Sequence, residues 1–246
     1  MIYTTDMGFA TESGNVAPIS AIDAIMDIYE SALEYNETSF LYEGAVGDAA
    51  TGAKNFVRNL GSRIVNAING LIQKVKNMIM DKAFKNLERN INNYMRGKKE
   101  VNLGSGQEIE FLAFTGKGEI SVANIQSIAD SVRKGDKKVS DAKAEVSDAL
   151  KDDNNYTKNS YDNLDSARKA IGDIKDTSKA LVSGLETMKK GALNGLKGAS
   201  DATGASNYAA FVVWAANNLT NRSLSQCIKC INSLNRRFGK APKKDK

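Results

Sequence analysis

Residues 55–96, NFVRNLGSRIVNAINGLIQKVKNMIMDKAFKNLERNINNYMR, decide the fold. Phe56, Leu60, Ile64, Ile68, Leu71, Val75, Met78, Ile79, Leu87, Ile91 and Tyr94 recur at steps of three and four, the period of one helix face. No proline interrupts them. The spacing predicts a helix from Asn55 to Arg96, roughly 60 Å long at 1.5 Å per residue. Gly61 and Gly70 are the places where it would soften or divide. Its polar positions are basic. Eleven bases (Lys54, Arg58, Arg63, Lys74, Lys76, Lys82, Lys85, Arg89, Arg96, Lys98, Lys99) face only Asp81 and Glu88, a net of +9.

Downstream, residues 100–115 predict a β-hairpin. Val101 and Leu103 alternate with polar residues, Gly104-Ser105-Gly106 turns the chain, and Ile109, Phe111 and Ala113 alternate on the return. Further helices follow. Val122, Ile125, Ile128 and Val132 mark one, and Val139, Ala142, Val146 and Leu150 a second. Asp152 to Asn155 form a polar break. Leu164, Ala167, Ile171, Ile174, Ser178, Leu181, Leu185 and Met188 then make a nearly heptad seam, which Gly191, Gly195, Gly198 and Gly204 end. A last helix fits Asn207 to Arg236. The fold class is therefore mainly α, a long-helix bundle with one small β-hairpin. Residues 236–246 hold six bases and one acid and read as a disordered tail containing Arg236, Arg237, Lys240, Lys243 and Lys244.

Upstream, the character of the chain inverts. Residues 1–43 hold eight acids and no Lys or Arg, whereas the remainder holds all 34 bases and 21 of the 29 acids. From Pro18 an amphipathic helix is predicted, with Ile19, Ile22, Ile25, Met26, Tyr29 and Leu33 apolar and Asp23, Asp27, Glu30, Glu34 and Glu37 beside them. Such a segment suits docking on a partner, and serves equally as the first helix of the fold. Residues 44–53 (GAVGDAATGA) read as a flexible, cleavable stretch. Four parts result: an acidic leader at 1–43, open to removal; a long basic helix plus hairpin at 44–119; a helical bundle at 120–235; and the basic tail at 236–246.

Several function classes are disfavoured by composition. The 246 residues include no His, so the commonest general base and metal ligand is missing. Cys227-Ile228-Lys229-Cys230 has CxxC spacing, but a zinc site needs four ligands, and neither a third Cys nor a His exists. Both thiols read as structural. Glu108 and Glu110 would share one strand face as a solvated pair rather than as acid and base. Gly116-Lys117-Gly118 and Gly195-Leu196-Lys197-Gly198 lack the spacing of a phosphate loop. No catalytic constellation and no cofactor are expected. The longest apolar run, Tyr208 to Ala216, is far short of the ~20 residues of a membrane span, and no secretory signal is visible. A soluble protein inside a cell is the default expectation.

The basic helix and tail are the electrostatic footprint of a polyanion binder. Without a base-reading motif, its DNA binding would be non-specific and salt-dependent. Two other readings use the same features. A greasy stripe opposite lysines also suits an anionic membrane surface. The seam at 164–188 also suits an oligomerising assembly or scaffold protein through self-association.

Leu41-Tyr42-Glu43 followed by Gly44-Ala45 resembles the site cut by the head-maturation protease of large tailed bacteriophages. That protease cuts after Glu in an Ile/Leu-x-Glu pattern. The charge layout is similar to that of the internal head, or core, proteins of these phages. The resemblance covers this motif and this layout, not the full length. It implies a virion structural protein with Leu41, Glu43 and Gly44 at the cleavage point, Glu12, Glu30 and Glu37 being alternative positions. It further implies other head or core proteins as partners, DNA contact by the basic body, and a place in the virion interior after assembly in the host cytoplasm. Removal of the leader would raise net charge from +5 to +13 in one step.

Overall fold

The computed structural model describes residues 46–97, 103, 108–112, 120–199 and 201–240. In order these form α1 (Val46–Met80), α2 (Lys82–Arg96), β1 (Glu108–Leu112), α3 (Val122–Lys134), α4 (Val139–Ala149), a 3-10 turn (Asp153–Asn155), β2 (Tyr156–Ser160), α5 (Leu164–Lys197) and α6 (Ala202–Lys240). The fold is mainly helical with one small antiparallel sheet, as the periodicities predict.

α6 is the central element. Tyr208, Ala209, Ala210, Phe211, Val212, Val213, Ala215 and Ala216 are all buried, so the apolar run is a helix hydrophobic all round. It packs against α1, α2, α3, α4, α5 and β1. α1 lies along both α5 and α6. Gly61 on α1 meets Leu193 and Leu196, and Asn69 takes a hydrogen bond from Lys189, so α5 runs antiparallel to α1. Tyr208 lies against Gly191 and Gly195 of α5, and Lys74 reaches Asn221 further on, so α6 runs parallel to α1.

The stripe on α1 is buried from Phe56 to Met78. Of the seam on α5, Ala167, Ile174, Ser178, Leu181, Leu185 and Met188 are buried in the same core, whereas Leu164 and Ile171 are half-buried and Ala170 is buried instead. Most of both apolar stripes thus packs inside the chain's own core, while Ile79, Leu164 and Ile171 stay half-buried at its edge. No helix among the described residues is long and apolar enough to cross a membrane.

Five local expectations change. The long helix divides at Asp81, not at Gly61 or Gly70. Asp81 is extended (φ −63°, ψ 147°), and its carboxylate caps α2 by accepting from the Ala83 N–H at 2.7 Å. An Asp at this position satisfies an orphan amide, which a continuous helix would not need. Second, residues 46–53 are the first turns of α1 rather than an irregular stretch. Alanine is the best helix former, and three of these eight residues are alanine.

Third, Gly191 and Gly195 lie inside α5 and do not end it. A Cβ at Gly191 would fall 1.7 Å from Gln126 Nε2, and one at Gly195 only 2.1 Å from the Tyr208 hydroxyl oxygen. These glycines permit close approach, not a change of direction. Gly198 does end α5 as its C-cap, whereas Gly204 lies in the first turn of α6.

Fourth, β1 pairs with β2; of the predicted partner strand and turn, residues 101–102 and 104–106 lie outside the described residues. The register runs from Glu108 opposite Ser160 to Leu112 opposite Tyr156. Leu103 instead donates its N–H to the Asp162 carbonyl at 3.0 Å. A two-stranded pair is marginal unless it leans on a core. Here Ile109, Phe111, Tyr156 and Tyr161 are all buried against the helices. Fifth, α6 continues to Lys240, so the tail expected to be disordered is helical over residues 236–240. Phe238 anchors it, buried with its ring 5.4 Å from that of Tyr94. Residues 241–246, the acidic leader and the cleavage residues Leu41, Glu43 and Gly44 lie outside the described residues.

Candidate polyanion-binding surface

The basic residues of α1 do not form one face. At 3.6 residues per turn, Arg58 and Lys76 fall on one flank of the buried stripe, and Arg63 and Lys74 on the other. Arg63 is half-buried, and Lys74 donates to Asn221 at 2.9 Å. Partial burial holds the Lys74 ammonium below the usual lysine pKa. Lys54 lies on α1, but its side chain is outside the described residues, as are Lys98 and Lys99 entirely.

α2 is different. Phe84, Leu87 and Ile91 are buried, and the helical period sets Lys82, Lys85, Arg89 and Arg96 on the opposite side, all exposed. Arg89 donates to Asn86 within the helix at 2.9 Å. Four cations along four turns make a coherent positive face.

A second cationic surface lies on the outer side of α6. Arg222, Lys229 and Arg236 follow each other at seven-residue steps, nearly two turns, and are all exposed. Successive charges are about 10.5 Å apart along the axis at 1.5 Å per residue, so the row spans about 21 Å. With Arg237, Ser225, Gln226, Asn232 and Ser233 they line a cleft of about 660 Å³ whose wall is Ile109 and Glu110 of β1.

The supports of this cleft are specific. Arg222 Nε donates to the Tyr156 hydroxyl at 3.0 Å, and its guanidinium lies 5.4 Å from the centre of that ring. The Tyr156 hydroxyl in turn donates to the Leu150 carbonyl, so β2 fixes the position of Arg222. Arg237 Nη1 donates to the Tyr161 carbonyl at 2.8 Å, tying the last turns of α6 to the end of the sheet. Glu110 is the one acid on the wall. It sits opposite Lys158 in the ladder and forms an ion pair with it at 3.5 Å. Lys158 also binds Asp153 at 3.1 Å, and these two carboxylates, Asp153 first, hold the ammonium above the usual lysine pKa. The acid on the wall is thereby offset, and the cleft keeps its positive sign.

Among the expected DNA-contacting residues, the structure therefore groups Lys82, Lys85, Arg89 and Arg96 on α2, and Arg236 and Arg237 in the α6 cleft. It separates Arg58 and Lys76 from Arg63 and Lys74. Lys240 closes α6 with its side chain outside the described residues, where Lys243 and Lys244 also lie. Arg222 and Lys229 were not among the expected residues. Their charges disappear in the balanced total of residues 100–235, yet their seven-residue spacing with Arg236 is present in the sequence.

Cys227 and Cys230 are buried and unpaired. Burial, first, pushes both thiols up to about 12, so neither is a thiolate near neutral pH. No group of three or more His, Cys, Asp or Glu among the described residues could hold a metal ion. The buried Tyr161 hydroxyl donates to Asp173 at 2.8 Å, and the same carboxylate oxygen accepts from Asn159 at 3.2 Å, which ties β2 to α5. Burial, and next the bond to Asp173, raise the phenol above its ordinary pKa. No family model, no curated protein and no solved structure matches the chain.

Proposed function

We propose that the chain is a non-enzymatic structural protein of a bacteriophage head, an internal head or core protein whose basic body contacts packaged DNA without reading its sequence. The row Arg222, Lys229 and Arg236 carries the DNA-binding part of this reading. A row about 21 Å long matches about six base steps at 3.4 Å per step along a duplex. The α2 face adds a second set of phosphate contacts. The phage part is supported by the resemblance of Leu41-Tyr42-Glu43-Gly44 to a head-protease site and by the change of charge at that point.

Two experiments test the two parts. Binding of the full chain to unrelated duplex sequences is measured by anisotropy between 50 and 300 mM salt. Equal affinities and a linear fall of log K with log salt are expected. Replacing Arg222, Lys229 and Arg236 by Gln reduces the slope by up to about 2.7, at about 0.9 per lost phosphate contact. An unchanged slope removes the row from the binding surface. The N-terminal sequence of the protein from native particles tests the other part: a start at Gly44 supports processing, and Glu43→Gln abolishes it. A start at Met1 overturns the leader.

A further inference from the structure

A second concavity, of about 340 Å³, lies between α1 and α5 on a part of the surface away from the α6 cleft. Its floor is Val75, Ile79 and Val182, and its rims are Lys76 and Lys179. Met80, next to Ile79, is 64% exposed and is the exposed large hydrophobic side chain among the described residues. Val75 is buried, but Ile79 and Val182 are only half-buried, and with Met80 they keep apolar surface in contact with water that an apolar partner would remove.

We propose that the acidic segment Pro18–Glu37 of this same chain docks its apolar face into this groove. Three observations on the sequence and structure fit one another. The segment carries Ile19, Ile22, Met26, Tyr29 and Leu33 at helical spacing, which supplies the apolar ridge the groove lacks. Its five acids and absence of bases meet a rim that is positive. Lys76, Lys189 and Lys190 all act on Glu186 near the groove and hold its carboxyl below the usual range, the bond to Lys189 foremost. Lys179 leans on Asp176 at 3.5 Å, a weak surface pair that a second carboxylate can share.

The tether has the right length. Val46, where α1 begins, lies about 50 Å from Ile79 along the helix axis at 1.5 Å per residue. The nine residue steps from Glu37 to Val46 reach at most about 30 Å when extended. A helix continuing from Glu37 antiparallel to α1 covers the remaining 20 Å or so in about 13 residues. That brings Ile22, Ile25 and Met26 level with Ile79. The segment thus completes a helical layer over α1 and α5, and its charge lies against the body's lysines until it is removed or displaced.

The test uses the full chain with Met80 replaced by the photo-crosslinking residue p-benzoylphenylalanine, a change at an exposed position. Equal amounts of light and isotopically heavy chain are mixed, irradiated and digested. Trypsin releases residues 1–54 as one piece, because Lys54 is the first base. The expected result is a crosslink within a single chain to residues 18–37, with a yield that falls at least several-fold at high salt and in the Ile22→Asp/Met26→Asp variant. A crosslink joining light to heavy chains assigns the groove to a second copy and overturns the proposal. Crosslinks only to other segments, or a yield unchanged in the Asp variant, overturn it equally. The crosslink is read without DNA, so its failure leaves the DNA-binding reading standing.

Discussion

Gly195 of α5 and Tyr208 of α6 meet so closely that a Cβ on residue 195 would stand 2.1 Å from the tyrosine hydroxyl oxygen. Tyr208 is buried and its hydroxyl donates to the Gly191 carbonyl at 3.3 Å, so the ring cannot swing away cheaply. Gly195→Ala should force the two helices apart and cost about 1–3 kcal/mol, the range for overpacking. Gly172 in the same helix has nothing within 4 Å of the added methyl and is exposed. Gly172→Ala should stabilise by up to about 1 kcal/mol through helix propensity. Urea titration of the pair decides the matter: equal midpoints would mean that α5 and α6 are not in contact there.

Asp81 separates α1 from α2, and its carboxylate accepts from Ala83 N–H at 2.7 Å. Asp81→Ala should cost about 1 kcal/mol, whereas Asp81→Asn should cost a few tenths, because Asn caps almost as well. Thermal melts of both variants give the comparison. Loss of stability in the Asn variant as large as in the Ala variant would mean that charge, not the cap, matters.

Adjacent arginines on α6 should separate by role. Arg237 donates to the Tyr161 carbonyl at 2.8 Å from a half-buried position, so Arg237→Gln should lower stability by about 1.5 kcal/mol or more, the scale of a charge-assisted bond. Arg236 is exposed, and Arg236→Gln should stay within about 0.5 kcal/mol of the parent while weakening DNA binding. The reverse order in denaturation would refute the assignment.

Alkaline pH should destabilise the protein. Cys227 and Cys230 are pushed up to about 12 in the fold, against an ordinary 9.0, and Tyr208 is pushed up to about 12 against 10.0, burial being the first cause in each. Between the ordinary and the folded pKa values the folded chain keeps protons that the unfolded chain has released. Stability is therefore full below pH 9 and falls as pH rises toward 12. Cys227→Ala/Cys230→Ala should remove the part of this decline that begins near pH 9 and leave the tyrosine part, which begins near pH 10. Denaturation midpoints at pH 8, 9.5 and 10.5 measure both. Native protein at pH 8 should also resist thiol reagents until it unfolds.

The helices were legible because their burial is periodic. Phe56 to Met78 and Ala167 to Met188 alternate at threes and fours, and the structure buries those same residues except Ile171, which is half-buried beside the buried Ala170. The glycines were misread for a physical reason. A sequence shows a missing Cβ but not whether the space is needed for a turn or for another helix, and Gln126 and Tyr208, which fill that space, are distant along the chain. The strand pairing was hidden for a similar reason. Tyr156-Thr157-Lys158-Asn159-Ser160 has no apolar alternation, and its partner precedes it by two helices. Half of the cationic surface is visible in the sequence as Lys82, Lys85, Arg89 and Arg96 on α2. The other half is masked because the bases and acids of residues 100–235 balance along the chain, whereas around the helix Arg222, Lys229 and Arg236 align.

Because α6 touches every other helix and β1, the order of synthesis has a consequence. On the ribosome, α1 emerges about 160 residues before the end of α6, which at 5–20 residues per second is roughly 8–32 s. Throughout that interval the stripe from Phe56 to Met78 lacks its principal cover. The protein cannot mature piecemeal as it is translated. A nascent chain interrupted anywhere before Tyr208 yields no smaller folded unit, only a substrate for chaperones and proteases.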